Sequence, residues 1–348
     1  MKKYIITGFS GLILIYLFIL ISGCGGGSST FIPDYSVPAA TPTSQSGTIS
    51  GTITNALDGT PISGAEIKSN NQIIATSDNN GYYQFQGANG QLSISGGTTE
   101  RNVYYSSVSP IKNISLIPNT INSDNYWAYF KWNNEQKIRN WKNKPNFVIY
   151  TYTIDNNNRV SPEIIDKTTS IIQNKLGHFL SYNPNIEIRD TQPQADPEVK
   201  INNNNFAYLT NGKVAISFIN HLENSSGKGN SFIGDDGFLN GGGVTITTYG
   251  TTISKLDYIL LHELGHAVMH WYHPFENSNN TEPSIMNYDP QYVDFTEMDM
   301  KIWKIQQKRP TGSYFPDNDP EGTESYSSKK MSIPGLKKQL EIIHSDCF

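Results

Sequence analysis

Four of the seven histidines in this 348-residue chain fall in one short stretch, His262-Glu263-Leu264-Gly265-His266-Ala267-Val268-Met269-His270-Trp271-Tyr272-His273. Residues i and i+4 lie on one face of an α-helix, about 6 Å apart along its axis. Two imidazoles so placed, His262 and His266, can converge on one Zn2+ at about 2.0–2.1 Å each. Glu263 is offset by about 100° around the helix. It therefore faces a water on the metal without having to be a ligand. The flanks predict a helix. Ser254 with Asp257 reads as a capping-box-like start, and Leu256, Leu260, Leu264, Ala267 and Val268 form an apolar stripe.

A catalytic zinc site takes a third protein ligand and leaves a fourth position open. His270 shares the face of His262 but lies about 12 Å along the axis. Three imidazoles in that straight row cannot close around one ion. His273 precedes Pro274, which pushes it out of the α region, so the helix is expected to end by His273 and its side chain to swing back. A carboxylate such as Glu276, Glu282 or Glu297 is the alternative.

Downstream lies Ser284-Ile285-Met286-Asn287-Tyr288. Together with H-E-x-x-H this resembles the metzincin zinc peptidases, whose zinc helix is followed by a glycine turn, a third histidine and a Met-turn. S-I-M-x-Y is the form seen in astacin-like members. The resemblance implies that His262, His266 and His273 are the ligands, Glu263 the general base and Met286 the apolar floor. Tyr288 would contact the metal or the developing oxyanion. The departures are local: Met269 stands at the family's glycine position and Tyr272 at its third histidine. His273 fits with one inserted residue, and the turn then falls to His270 in a left-handed conformation. The interval to Met286 is also longer than usual.

The implied fold over residues 119–348 is an α+β metzincin-like catalytic domain, a mixed sheet plus the zinc helix. The expected elements follow that order: a strand over Asn146–Thr153, an amphipathic helix over Pro162–Phe179, and strands over Val199–Ile201, Val214–Phe218 and Val244–Thr248. After the zinc helix, Thr296–Lys308 reads as a helix packing through Met300, Ile302, Trp303 and Ile305. The glycine-rich stretch Gly234–Gly243 is expected to rim a cleft where an edge strand pairs with an extended peptide. Asp235 and Asp236 in it are candidates for Ca2+, against the plainer reading of a solvated loop. The aromatic-rich stretch Tyr126–Trp141 reads as core and packing.

The N-terminus reads as an address. Lys2 and Lys3 precede an apolar run from Leu12 to Ile21. Ile21-Ser22-Gly23-Cys24 resembles the lipobox of bacterial lipoproteins, which implies a signal peptide over 1–23 and an acylated Cys24 in a lipid bilayer. An uncleaved signal anchor over Tyr4–Ile21 is the alternative. Either places the rest outside the cytoplasm, at the outer membrane or cell surface. Residues 24–46, rich in glycine, serine and then proline, read as a flexible tether. The other cysteine, Cys347, makes no disulfide framework with it. A possible amphipathic helix over Lys329–Phe348 has no evident purpose.

Between the tether and the catalytic part, residues 47–118 show short alternating segments (Thr48–Ile53, Ala65–Ile67, Ile73–Ala75, Tyr82–Phe85, Leu92–Ile94). Turns at Asp58–Pro61 and Asp78–Gly81 separate them. They predict a small all-β sandwich, and GTITNALDGTPISGAEI with ATSDNNGYYQF resembles the carboxypeptidase regulatory-like domain. A spacer and a substrate- or polymer-binding module are the two roles considered. Net charge is −5 and no basic block is present, which argues against nucleic acid as a partner. The function expected is zinc-dependent hydrolysis of peptide bonds in extracytoplasmic proteins or peptides. The alternatives are a surface-binding or adhesion lipoprotein with a degenerate peptidase fold, and a gluzincin-type peptidase with a glutamate ligand.

Overall fold

The computed structural model describes residues 47–107, 110–132, 135–202, 206–222, 225–274, 282–288 and 292–321. The expected signal peptide, Cys24, the tether, Glu276, Cys347 and the C-terminal stretch lie outside them. Among the described residues, no helix is long and apolar enough to cross a membrane.

Seven strands build the first half: β1 (Gly47–Asn55), β2 (Glu66–Ser69), β3 (Gln72–Thr76), β4 (Tyr82–Gly87), β5 (Asn89–Ile94), β6 (Arg101–Ser106) and β7 (Ile114–Leu116). They form two sheets, β4-β1-β7 and β3-β2-β5-β6. The period-two pattern of β1 buries Ile49, Gly51 and Ile53. These isoleucines meet Ile67, Tyr83, Leu92, Ile94, Val103 and Leu116 in one core drawn from both sheets. Strands β6 and β7 were not among the segments expected from alternation.

The second half begins with α1 (Ser123–Ala128) and the short hairpin β8 (Lys131–Trp132) and β9 (Glu135–Gln136). Tyr126, Trp127, Tyr129, Phe130 and Trp132 are all buried here, as the packing role predicts. β10 (Asn146–Thr153) is buried along almost its whole length. Phe147 and Ile149 enter one core while Val148 and Tyr150 enter another, as expected of a strand covered on both faces.

Helix α2 (Pro162–Ser170) starts on Ser161, whose side chain accepts from Ile164 N. The predicted single helix is not regular: its second half widens into a π-helical segment, Ile171–Leu176, before α3 (Gly177–Leu180). Ser181, at φ 57°, ends it. β11 (Ile186–Arg189) follows, then the small pair β12 (Lys200–Ile201) and β13 (Ala207–Tyr208), then β14 (Lys213–Ile219), β15 (Gly227–Ile233) and β16 (Leu239–Thr247).

The main sheet runs β11-β10-β14-β16-β15. Its first four strands are parallel, and β15 lies antiparallel to β16 at one edge. Two expectations change here. The strand over Val199–Ile201 sits outside this sheet, paired with β13. The glycine-rich stretch is not a rim: a turn spans Gly234–Gly237, but Gly241, Gly242 and Gly243 lie inside β16. A Cβ on Gly241 or Gly243 would overlap the carbonyls of Leu209 or Ala207, so the close crossing of that segment requires glycine. The edge strand on this side of the sheet is β15.

Helix α4 (Ile253–Met269) packs on β15 and β16 of the sheet, and α5 (Glu297–Gln306) follows it in the chain. The Ser254/Asp257 capping box is not formed. Thr252 is the N-cap and makes no side-chain cap. Asp257 instead holds Lys167 and Lys175 at 2.6 Å each, pinning α4 to α2 and to the π-helical segment.

The sandwich is joined to the second half. Ala56 and Ile117 enter the core of the second half. The strap after α5 returns to β6, where Asn102 N donates to Asp317 O and Asp319 N donates to Asn102 O. Arg101 pairs with Asp319 at 2.9 Å and Arg309 with Asp317 at 2.8 Å, all four side chains at most 5% exposed. Arg309 also donates to Ser115 O.

Candidate metal centre

His262, Glu263 and His266 lie on α4 and are at most 1% exposed. The helix stops at Met269 because His270 adopts φ 56°, ψ 38°, the left-handed conformation expected of it. Trp271 N then donates to Gly265 O and Tyr272 N to Tyr129 O, which turns the chain back and delivers His273. Its Nε2 stands 3.0 Å from that of His262 and 3.1 Å from that of His266. Bonds of about 2.0–2.1 Å to a tetrahedral ion would hold such nitrogens roughly 3.3 Å apart. Among the described residues this is the one group of three or more histidine, cysteine or carboxylate side chains arranged to hold a metal. Glu282 and Glu297 are exposed and outside it. So are Asp235 and Asp236; Asp236 caps its own turn through Phe238 N and pairs with Lys142.

Each ring is oriented from behind. His262 Nδ1 lies 2.8 Å from Ile285 O, His266 Nδ1 2.6 Å from Trp271 O, and His273 Nδ1 2.7 Å from the Tyr288 hydroxyl. The two carbonyls accept only, so His262 and His266 carry their protons on Nδ1 and present the unprotonated Nε2 as the coordinating atom. Burial favours the neutral rings: it lowers the pKa of His262 to about 4 and those of His266 and His273 well below the usual range. Neutral, convergent, back-bonded imidazoles are the donor set a zinc ion takes.

The floor is built from the S-I-M turn. Met286 is fully buried against Gly265, where any Cβ would overlap its sulfur. The turn hangs from Asp299, a residue the motif reasoning missed. One carboxylate oxygen accepts from Ser284 Oγ and Tyr129 Oη, the other from Ile285 N, Thr296 N and Thr296 Oγ1. Burial raises the pKa of this carboxyl against the pull of those bonds. The Thr296-x-x-Asp299 capping-box spacing was the available signal. Tyr288, expected at the metal or the oxyanion, has its hydroxyl on His273, which makes it an orienting partner of that ring.

Glu263 packs against β15. A Cβ on Gly227 would come 2.9 Å from the Glu263 side chain, and one on Gly229 would overlap the Glu263 carbonyl. The edge strand and the acid are thus in direct contact. Comparison with family models, with curated proteins and with solved structures returns no match. The class of the site therefore rests on its own geometry, three convergent histidines able to hold a metal beside a buried carboxylate.

Proposed function

We propose that this chain is a zinc-dependent endopeptidase of metzincin type, acting on extracytoplasmic proteins or peptides and tethered to a membrane through an acylated Cys24. The observation that carries the reading is the convergence of three back-bonded Nε2 atoms beside Glu263. Zinc bound there would supply Lewis acidity and lower the pKa of a water towards about 7. His262, His266 and His273 would hold it, with Ile285 O, Trp271 O and Tyr288 fixing their orientation. Glu263 would take the proton of the attacking water and deliver it to the leaving amine. Strand β15, at the sheet edge and against Glu263, offers backbone groups for an extended peptide to pair with. The test uses the full-length chain in detergent, wild type and Glu263→Ala, with a mixed peptide library. Cleavage by the wild type that a zinc chelator stops and added zinc restores supports the reading, provided Glu263→Ala binds zinc and does not cleave. Zinc binding without cleavage by the wild type would favour the adhesion alternative.

A further inference from the structure

One buried histidine has no part in the metal centre. His270, 7% exposed, places Nδ1 2.5 Å from Ser231 Oγ on β15. Its ring stacks on Trp132, with centroids 5.1 Å apart and planes 23° from parallel. Its carbonyl accepts from Trp132 Nε1 at 2.8 Å. Trp132 in turn packs edge-on against His266 and Tyr272. His270 is also the residue that reverses the chain, at φ 56°. The next residue supplies the carbonyl that orients His266, and three residues on stands His273.

A glycine makes a left-handed turn without strain, but it holds nothing. An imidazole here accepts the strain and ties the turn at two points, to Ser231 and to the face of Trp132, beside the bond that the backbone carbonyl takes from the indole N–H. We infer that His270 is a positioning residue that clamps the reversal after α4 to the edge strand β15, so that His273, Trp271 O and the peptide-pairing strand are held in one register. The assignment rests on the metallopeptidase reading. It explains how a loop one residue longer than the family's, with no glycine in it, returns its histidine to the metal.

Three variants of the full-length chain test it: His270→Gly, which permits the turn, keeps the backbone carbonyl and removes the two side-chain ties; His270→Asn, which tolerates the left-handed region and keeps a polar atom near the place of Nδ1; and Ser231→Ala. The readouts are zinc affinity by competition with a chromophoric chelator, and the melting temperature of the metal-free chain. His270→Gly should bind zinc about 10–100-fold more weakly, the range seen when a group supporting a metal ligand is removed, while the metal-free melting temperature holds. Ser231→Ala should weaken binding in the same direction, and His270→Asn should recover most of the loss. Wild-type zinc affinity in His270→Gly overturns the assignment. So does a loss that Asn does not rescue, or one matched by earlier melting without metal. Failure of the wild type to bind zinc would overturn both this inference and the peptidase reading.

Discussion

Glu263 and Gly265 make opposite demands on the same turn of helix. Glu263→Ala removes the proposed proton carrier and leaves the three imidazoles in place. Peptide cleavage should fall at least about 100-fold, the lower end of what general acid–base catalysis contributes, with zinc stoichiometry unchanged. Gly265→Ala does the reverse. It drives a methyl into the Met286 sulfur and should destabilise by about 1–3 kcal/mol, as overpacking does, read as a lower urea midpoint.

The buried histidines also set a pH dependence. His262 is held near 4 and His270 near 3, against 6.5 for a free imidazole. The unfolded chain therefore takes up protons first as pH falls through about 6.5, and the folded chain resists until near 4. Stability is fully present above 6.5 and is lost below it, by up to about 1.4 kcal/mol per histidine per pH unit. The urea midpoint of the metal-free chain should drop between about pH 7 and about pH 5; an unchanged midpoint would contradict the burial of neutral rings. His262, Glu263 and His266 were legible because i, i+4 spacing is local, and His273 because a residue before proline is kept out of a helix, although His270 is what ends α4. Ser231, Trp132 and Asp299 were not, since their partners lie 39, 138 and 15 residues away in the chain.

Among the elements, the S-I-M turn and α5 stand or fall together through Asp299. Its carboxylate bonds Ile285 N, and Ile285 O holds His262 Nδ1, so one residue joins the N-cap of a helix to a proposed metal ligand. Asp299→Ala leaves several buried donors without their acceptor, each worth about 1–3 kcal/mol. It should cost at least about 3 kcal/mol on that basis and weaken zinc binding as well; a variant of wild-type stability would refute the hub. The legibility of elements followed their exposure to competing contacts. β10 matched its expected bounds because an apolar run covered on both faces needs nothing else. β15, Gly-Lys-Gly-Asn-Ser-Phe-Ile, shows no strand signal because its glycines answer to the backbone of α4, which the sequence does not reveal locally. The start of α4 was misplaced because Asp257 serves two lysines on a distant helical run rather than its own N-terminus.

Across the whole molecule, the sandwich and the second half share a buried ionic seam. Removing one partner of such a pair leaves a charge without compensation, at about 3–5 kcal/mol. Arg101→Ala or Asp319→Ala should lower the urea midpoint of the entire chain in a single transition. A fragment beginning at residue 119 lacks Arg101, Ser115 and Ile117 and should not unfold cooperatively. Cooperative unfolding of that fragment would contradict the shared core and seam. The sandwich itself was legible from its alternating segments, but its attachment was not, because the strap that secures it lies more than 200 residues further along the chain. The claim on which everything turns is the three-histidine zinc centre. Zinc K-edge absorption on the zinc-loaded full-length chain reads it directly. The account predicts one zinc per chain with three imidazole nitrogens at about 2.0–2.1 Å and one further light atom. A shell with fewer than three imidazoles, or a chain that takes up no zinc, would contradict it.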